Sequence, residues 1–200
     1  MRNLHELQIK TAVEAVASKK EVNEVYFVAC GGSQAVLMGG QYLFDKESSV
    51  PSHVYTANEF VYDAPKNLCE KSVVISCSHS GNTPETVAAT KLARSKGAIT
   101  ICLSNLEGSP LWEAAEYPVH YDWGKDVSDS DKNKGILYGL LFKLLGVLAA
   151  DAKWDICFKE LEKLTELSTK AKEQYDAQAK QWAKDNKRKK TIYTIGSGIN

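Results

Sequence analysis

Residues 76–84 read S-C-S-H-S-G-N-T-P. An apolar, β-branched run, Val73-Val74-Ile75, leads into this stretch, and a helix pattern leads out of it. Thr83 suits the N-cap, Pro84 the first helical position and Glu85 the second, where its charge favours the helix N-terminus. Val87, Ala88, Leu92 and Ala93 then supply an apolar face, and Gly97 suits a C′ position. A strand that passes through a polar loop into an amphipathic helix is one unit of a parallel sheet with crossover connections. No other feature restricts the fold so much.

The rest of the chain repeats that unit. Val25 to Ala29 is an apolar strand that ends in Cys30-Gly31-Gly32-Ser33, with Ser33 expected to cap a helix reaching about Asp45. His53 to Thr56 reads as a second strand, followed by a short helix around Asn58 and Glu59 that stops before Pro65. Val73 to Cys77 is the third strand and Ile99 to Ser104 the fourth. A short helix opens at Ser109-Pro110, and Tyr117 to Tyr121 is a weak fifth strand. The pattern predicts an α/β fold: a doubly wound, flavodoxin-like, three-layer αβα arrangement around a five-stranded parallel sheet. Ligands of such sheets sit at the carboxyl ends of the strands, where the strand order reverses. The loops at 30–33 and 78–83 both belong there.

Around this unit the chain divides as follows. Residues 1–24 hold an amphipathic helix, over 4–18, expected outside the α/β unit. The domain itself covers 25–152, with a polar loop at 122–134 and an apolar helix at 136–152. Residues 153–190 form a long helix and linker, helical from 156 to about 183, with the charged run at 184–190 read as a solvated end. Finally, I-Y-T-I-G-S-G-I-N (192–200) repeats the design of V-Y-F-V-A-C-G-G-S (25–33) at an offset of 167 residues. That repeat is read as the first strand and loop of a second copy of the domain, truncated at residue 200.

Twenty-five basic residues balance 25 acidic ones, so no net field favours a nucleic acid or a membrane surface. No apolar run reaches the ~20 residues of a membrane helix. The N-terminus lacks the apolar core of a signal peptide. Five cysteines without a C-x-x-C pair fit reduced thiols in a cytoplasmic protein.

The loop at 78–83 has the chemistry of an anion site. Ser78, Ser80 and Thr83 offer hydroxyls, and the N–H groups of Gly81, Asn82 and Thr83 stand beside a helix N-terminus. The loop contains no Lys or Arg, so hydrogen bonds rather than ion pairs would hold a phosphate. The plain alternative is a helix cap and a turn, but three hydroxyls and a glycine within six positions exceed what a cap requires. His79 lies within the loop and is a candidate for binding or proton transfer, or for simple exposure. Cys30 reads as a structural thiol. The other histidines, His5, His53 and His120, read as structural or surface groups. No His/Cys/Asp cluster has metal-ligand spacing, so no metal is expected. The Walker pattern G-x-x-x-x-G-K-[ST] is absent and G-G-S lacks the third glycine of G-x-G-x-x-G, which argues against nucleotide cofactors.

V-A-C-G-G-S (28–33) followed by S-H-S-G-N-T-P-E-T (78–86) resembles the sugar isomerase, or SIS, domain family. With Y-T-A-N-E-F (55–60) and Y-D-W-G (121–124), the chain most resembles the fructosamine deglycase group within it, as the N-terminal half of a tandem. The resemblance implies that Ser78, His79, Ser80 and Thr83 bind the phosphate of a phosphosugar, with Gly81 and Asn82 shaping the loop. It implies that Gly32 and Ser33 face the sugar, and that the segment near Lys132 to Lys134, with Asn133, closes over it. It implies cleavage of a 6-phosphorylated sugar–amine adduct such as fructoselysine 6-phosphate to glucose 6-phosphate and the free amine. That chemistry calls for an acid/base pair and no cofactor. In the group the pair comes from the second domain, leaving Glu59 and His79 as the weaker catalytic candidates here. A homodimer or higher homo-oligomer is also implied. Two alternatives share the fold: a phosphosugar isomerase like that of glucosamine-6-phosphate synthase, and a non-enzymatic phosphosugar sensor.

Overall fold

The computed structural model describes residues 2–121 and 130–193; within these, the side chains of 2–5, 130–135, 162 and 165 lie outside the description. The elements follow in the order α1 (Arg2–Ala17), β1 (Glu24–Ala29), α2 (Gly31–Glu47), β2 (Ser52–Thr56), α3 (Ala57–Tyr62), β3 (Ser72–Cys77), α4 (Pro84–Ser95), β4 (Ile99–Ser104), α5 (Pro110–Ala114), β5 (Tyr117–His120), α6 (Ser130–Leu148), α7 (Lys153–Glu160) and α8 (Leu164–Asn186). The five strands form one parallel sheet in the order β2-β1-β3-β4-β5. The three inner strands are buried at every residue, as their continuous apolar runs require, while both edge strands are only partly covered.

Alternation along each strand divides the core into two layers. Val25, Phe27, Val73, Ile75, Ile99 and Ile101 face α1, α2 and α6, against Leu140, Leu141, Leu144 and Leu145. Each of those buried leucines contributes roughly 1.5–3 kcal/mol. Tyr26, Val28 and Val74 point the other way, against Phe60 of α3 and Ala89 and Ala93 of α4. Cys102 meets Val87 and Leu111 on the same side. The chain leaves β1 into α2 on one face and β3 into α4 on the other. The carboxyl ends of β1 and β3 are therefore the point of reversal, with Ala29 paired to Cys77 at its edge.

The structure departs from the sequence expectations at several places. Helix α1 does not stand apart: Ile9, Ala12 and Val16 enter the core, and Gln8 Oε1 accepts the N–H of His120 at 2.9 Å. Ser33 does not cap α2; Cys30 occupies the N-cap and Ser33 lies within the first turn. Gly31 adopts φ +55, which lets the helix begin directly after the strand. Residues 130–134, read as loop, already belong to α6, whereas 122–129 lie outside the described residues. The expected helix at 156–183 is two helices joined by one 3-10 turn, Leu161–Lys163. Past that turn the chain is largely exposed. Ile192 and Tyr193 lie in no regular element, and the remainder of the expected strand and loop, 194–200, falls outside the described residues. Among the described residues no helix is long and apolar enough to cross a membrane.

Candidate functional site

Two strand-to-helix turns meet at the reversal point. The first, 30–33, presents a free approach: a Cβ added at Gly31 or Gly32 would meet nothing within 4 Å. Gly32 is exposed and Ser33 half-buried. The second turn, 78–83, is bonded to itself and to its surroundings. Ser78 donates its N–H to Leu103 O at 3.2 Å, and Gly81 donates its own to Ser78 O at 3.1 Å. Asn82 N–H donates to Ser80 Oγ at 3.2 Å. The Gly81 carbonyl accepts from Leu111 N–H at 2.9 Å, and the His79 carbonyl accepts from Asn105 N–H at 3.1 Å.

Gly81 has φ +66, and a Cβ there would overlap the side chain of Ser109, so the turn sits directly on the start of α5. Ser109 is well held: its Oγ accepts from Trp112 N–H at 3.4 Å and lies 3.3 Å from Ser104 Oγ. Only glycine combines that backbone angle with that contact.

Thr83 is the N-cap of α4 and Pro84 the first helical residue, as the sequence predicts. The Thr83 hydroxyl, however, does not cap the helix. It turns to the Ser78 hydroxyl at 2.9 Å. The first-turn N–H groups of α4 are thus not consumed by their own cap, and Pro84 has none. Ser78 is 3% exposed, Thr83 half-buried and Ser80 exposed, so the hydroxyls form a graded set from the floor of the turn to its rim. One proton of the Ser78–Thr83 pair serves the pair itself, and the other can be given to a bound acceptor. Two of the three N–H groups expected to point at an anion are spent inside the turn, those of Gly81 and Asn82. The donors best placed for a phosphate are therefore the hydroxyls and the start of α4.

The two turns approach each other, Ala29 pairing with Cys77 at their roots. On the α4 side, Thr86 Oγ1 donates to Cys30 Sγ at 3.9 Å. On the α6 side, Ser33 and Tyr121 lie near the buried Cys77 thiol, which burial pushes up to about 11. Tyr121 Oη lies 3.1 Å from Nδ1 of His79, with the rings tilted and 5.8 Å apart. Burial raises the Tyr121 phenol as well.

Of the residues expected at the site, Ser33, Ser78, His79, Ser80, Gly81, Asn82 and Thr83 lie together at the ends of β1 and β3, with Gly32. Glu59 lies in the first turn of α3, exposed, beyond the end of the edge strand β2. Among the described residues no hydrogen bond or ion pair joins its carboxylate to the turn at 78–83. Asn133 belongs to α6 by its backbone, and its side chain lies outside the described residues. His53 pairs with Glu24 at 2.8 Å at the opposite end of the sheet, and His120 Nε2 sits 2.8 Å from Asn105 O. Among the described residues no group of three or more His, Cys, Asp and Glu side chains is arranged to hold a metal. Sequence reasoning missed Tyr121, Cys77 and Thr86 as parts of the site. The available signal was position: Cys77 ends β3, and Tyr121 immediately follows β5.

The family model described as "SIS domain" matches residues 20–141. The fructosamine deglycase of Bacillus subtilis (strain 168) is 45% identical over 182 residues, which is 90% of this chain and 56% of that protein. The fructoselysine 6-phosphate deglycase of Escherichia coli (strain K12) is 29% identical over 117 residues, 58% of this chain and 34% of that one. Among solved structures, a candidate phosphosugar isomerase from Bacillus subtilis superposes with a TM-score of 0.88 at 40% identity, covering 99% of this chain and 61% of the other. The chain thus spans less than two thirds of the length of these relatives.

Proposed function

The chain belongs to the SIS domain family, and from that premise we propose that its paired turns hold a phosphosugar, with the turn at 78–83 on the phosphate and the turn at 30–33 on the sugar. The observation that carries this reading is the Ser78–Thr83 hydroxyl pair at the start of α4, turned away from its own helix. A phosphate monoester is rich in acceptors. It meets here a hydroxyl pair with a proton to give to a charged oxygen, a third hydroxyl on Ser80, and the favourable end of a helix dipole.

We assign the domain to a deglycase that releases an amine from a 6-phosphorylated Amadori adduct, the fructosamine-6-phosphate type. The 45% identity to a fructosamine deglycase supports that choice over the isomerising aminotransferases, for which 28% identity over 188 residues is found in Clostridium tetani. In this reading the share of the described residues is to anchor the substrate. Glu59, exposed in the first turn of α3, stays a weaker catalytic candidate and, among the described residues, is not joined to the phosphate turn.

Titration calorimetry with glucose 6-phosphate tests the binding site. Ser78→Ala and Thr83→Ala are each expected to weaken binding about 10-fold to 100-fold, the range for a hydrogen bond to a charged group. Undiminished affinity in both variants would refute the site. Amine release from fructoselysine 6-phosphate, against ketose–aldose interconversion of fructose 6-phosphate, separates the deglycase reading from the isomerase one in the intact enzyme.

A further inference from the structure

The loop that leaves β4 and the start of α5 form a bed under the phosphate turn, and the proposed function gives that bed no role. Ser104 ends β4 and Ser109 is the N-cap of α5; both are buried. Ser109 Oγ accepts the Trp112 N–H at 3.4 Å, a first-turn donor of its own helix. Ser104 Oγ accepts the Leu106 N–H at 3.3 Å and donates to the Leu106 carbonyl at 3.3 Å. The Ser104 proton is thereby engaged, so the 3.3 Å contact between the two hydroxyls runs from Ser109 to Ser104. With its proton and one lone pair in use, the Ser109 hydroxyl is held in place.

Gly81 rests on that side chain. A Cβ at Gly81 would overlap Ser109 Oγ and Cβ and would lie 2.8 Å from Ser104 Oγ. A second link is polar. Pro110 has no N–H, so Leu111 carries the next first-turn donor of α5, and it donates to the Gly81 carbonyl at 2.9 Å. Ser109 therefore satisfies one donor of the α5 start and Gly81 another. The Gly81 N–H closes back on Ser78 O at 3.1 Å. Ser78 and Thr83, on either side of Gly81, make the hydroxyl pair of the turn.

We propose that Ser109 is a positioning residue of the phosphate turn. By capping α5 it aims the Leu111 N–H at the Gly81 carbonyl, and its own side chain sets the face on which Gly81 rests. The proposal rests on the reading that this turn binds phosphate, and it adds a residue that touches no ligand. Two consequences separate it from a plain helix cap. The contact between positions 81 and 109 is steric, so a clash made at one is relieved at the other. The link between α5 and the ligand is reciprocal: if the Leu111–Gly81 bond favours binding, binding strengthens that bond.

Calorimetric titration of the 200-residue chain with glucose 6-phosphate, together with amide hydrogen exchange at Leu111, tests both. Ser109→Ala is expected to weaken binding about 3-fold to 10-fold, the equivalent of one lost N-cap, and to speed Leu111 exchange. Gly81→Ala loses binding; adding Ser109→Gly removes the side chain it strikes and is expected to restore measurable binding. Independent substitutions would only add their losses. In the wild type, where no variant has to fold, glucose 6-phosphate is expected to slow Leu111 exchange about 3-fold or more. Unchanged affinity in Ser109→Ala, a double variant that binds no better than Gly81→Ala, or Leu111 exchange indifferent to the ligand would each overturn the proposal. If Leu111 exchange quickens in Ser109→Ala while Ser78→Ala and Thr83→Ala both leave affinity intact, the phosphate reading fails and the tie between α5 and the turn stands.

Discussion

The two turns at the reversal point start from the same architecture and end in opposite designs. Each leaves an inner parallel strand and enters a helix, and the strands are neighbours in register. The turn after β1 is almost absent: Gly31 turns the chain at φ +55, α2 begins at once, and the space above Gly31 and Gly32 is open. The turn after β3 takes six residues, satisfies much of its own backbone, and rests on the start of α5 through Gly81. Under the proposed function, the difference separates two requirements of a phosphosugar site. A phosphate is best held by donors fixed in advance, and a turn already bonded without a ligand suits that requirement. A sugar needs room, and glycines without neighbours supply it.

The comparison breaks most visibly at Gly81. Gly81→Ala places a Cβ against Ser109 and forces an L-residue into the left-handed region, a cost of about 2–3 kcal/mol. Differential scanning calorimetry is expected to show the Tm of this domain lowered by roughly 4–12 °C, with glucose 6-phosphate binding lost. Wild-type Tm and affinity would mean that the β3 turn is not rigid. A smaller and more selective effect is expected at Gly32. Gly32→Leu places its Cβ in open space, and a good helix former in the first turn of α2 leaves stability unchanged or raised by up to about 1 kcal/mol. Its side chain fills the approach to the sugar. Affinity for glucose 6-phosphate is expected to fall about 10-fold or more, by the mismatch of a filled pocket, with inorganic phosphate affinity unchanged. Equal losses for both ligands would show that the two turns do not divide the ligand as described.

Much of this was legible from residues alone. The β-branched runs at 25–29, 73–77 and 99–104 became the three inner strands, because a run buried on both faces has nowhere else to go. Thr83-Pro84-Glu85 started α4 where the capping chemistry placed it. The same chemistry misled about Thr83's hydroxyl, since a cap is a local bond and the bond to Ser78 competes with it. Ser33 failed as a cap because Gly31, with its positive φ, admits a helix three residues earlier than serine chemistry suggests. The start of α6 was missed because Ser130 to Lys134 is polar, although a polar segment beginning with serine and aspartate is also how helices open. Tyr121 was beyond reach: its contact with His79 depends on strand order, which places the end of β5 one strand beyond β4 from β3, and no spacing along the chain encodes that.

The central claim is that phosphate and sugar are held by different turns. Backbone amide spectra of the nitrogen-15-labelled chain, titrated separately with inorganic phosphate and with glucose 6-phosphate, test it most directly. Inorganic phosphate is expected to shift the amides of Ser80, Thr83, Glu85 and Thr86 and leave Gly31, Gly32 and Ser33 in place. Glucose 6-phosphate is expected to shift both groups. Phosphate-induced shifts at 31–33 with none at 80–86 would contradict the account.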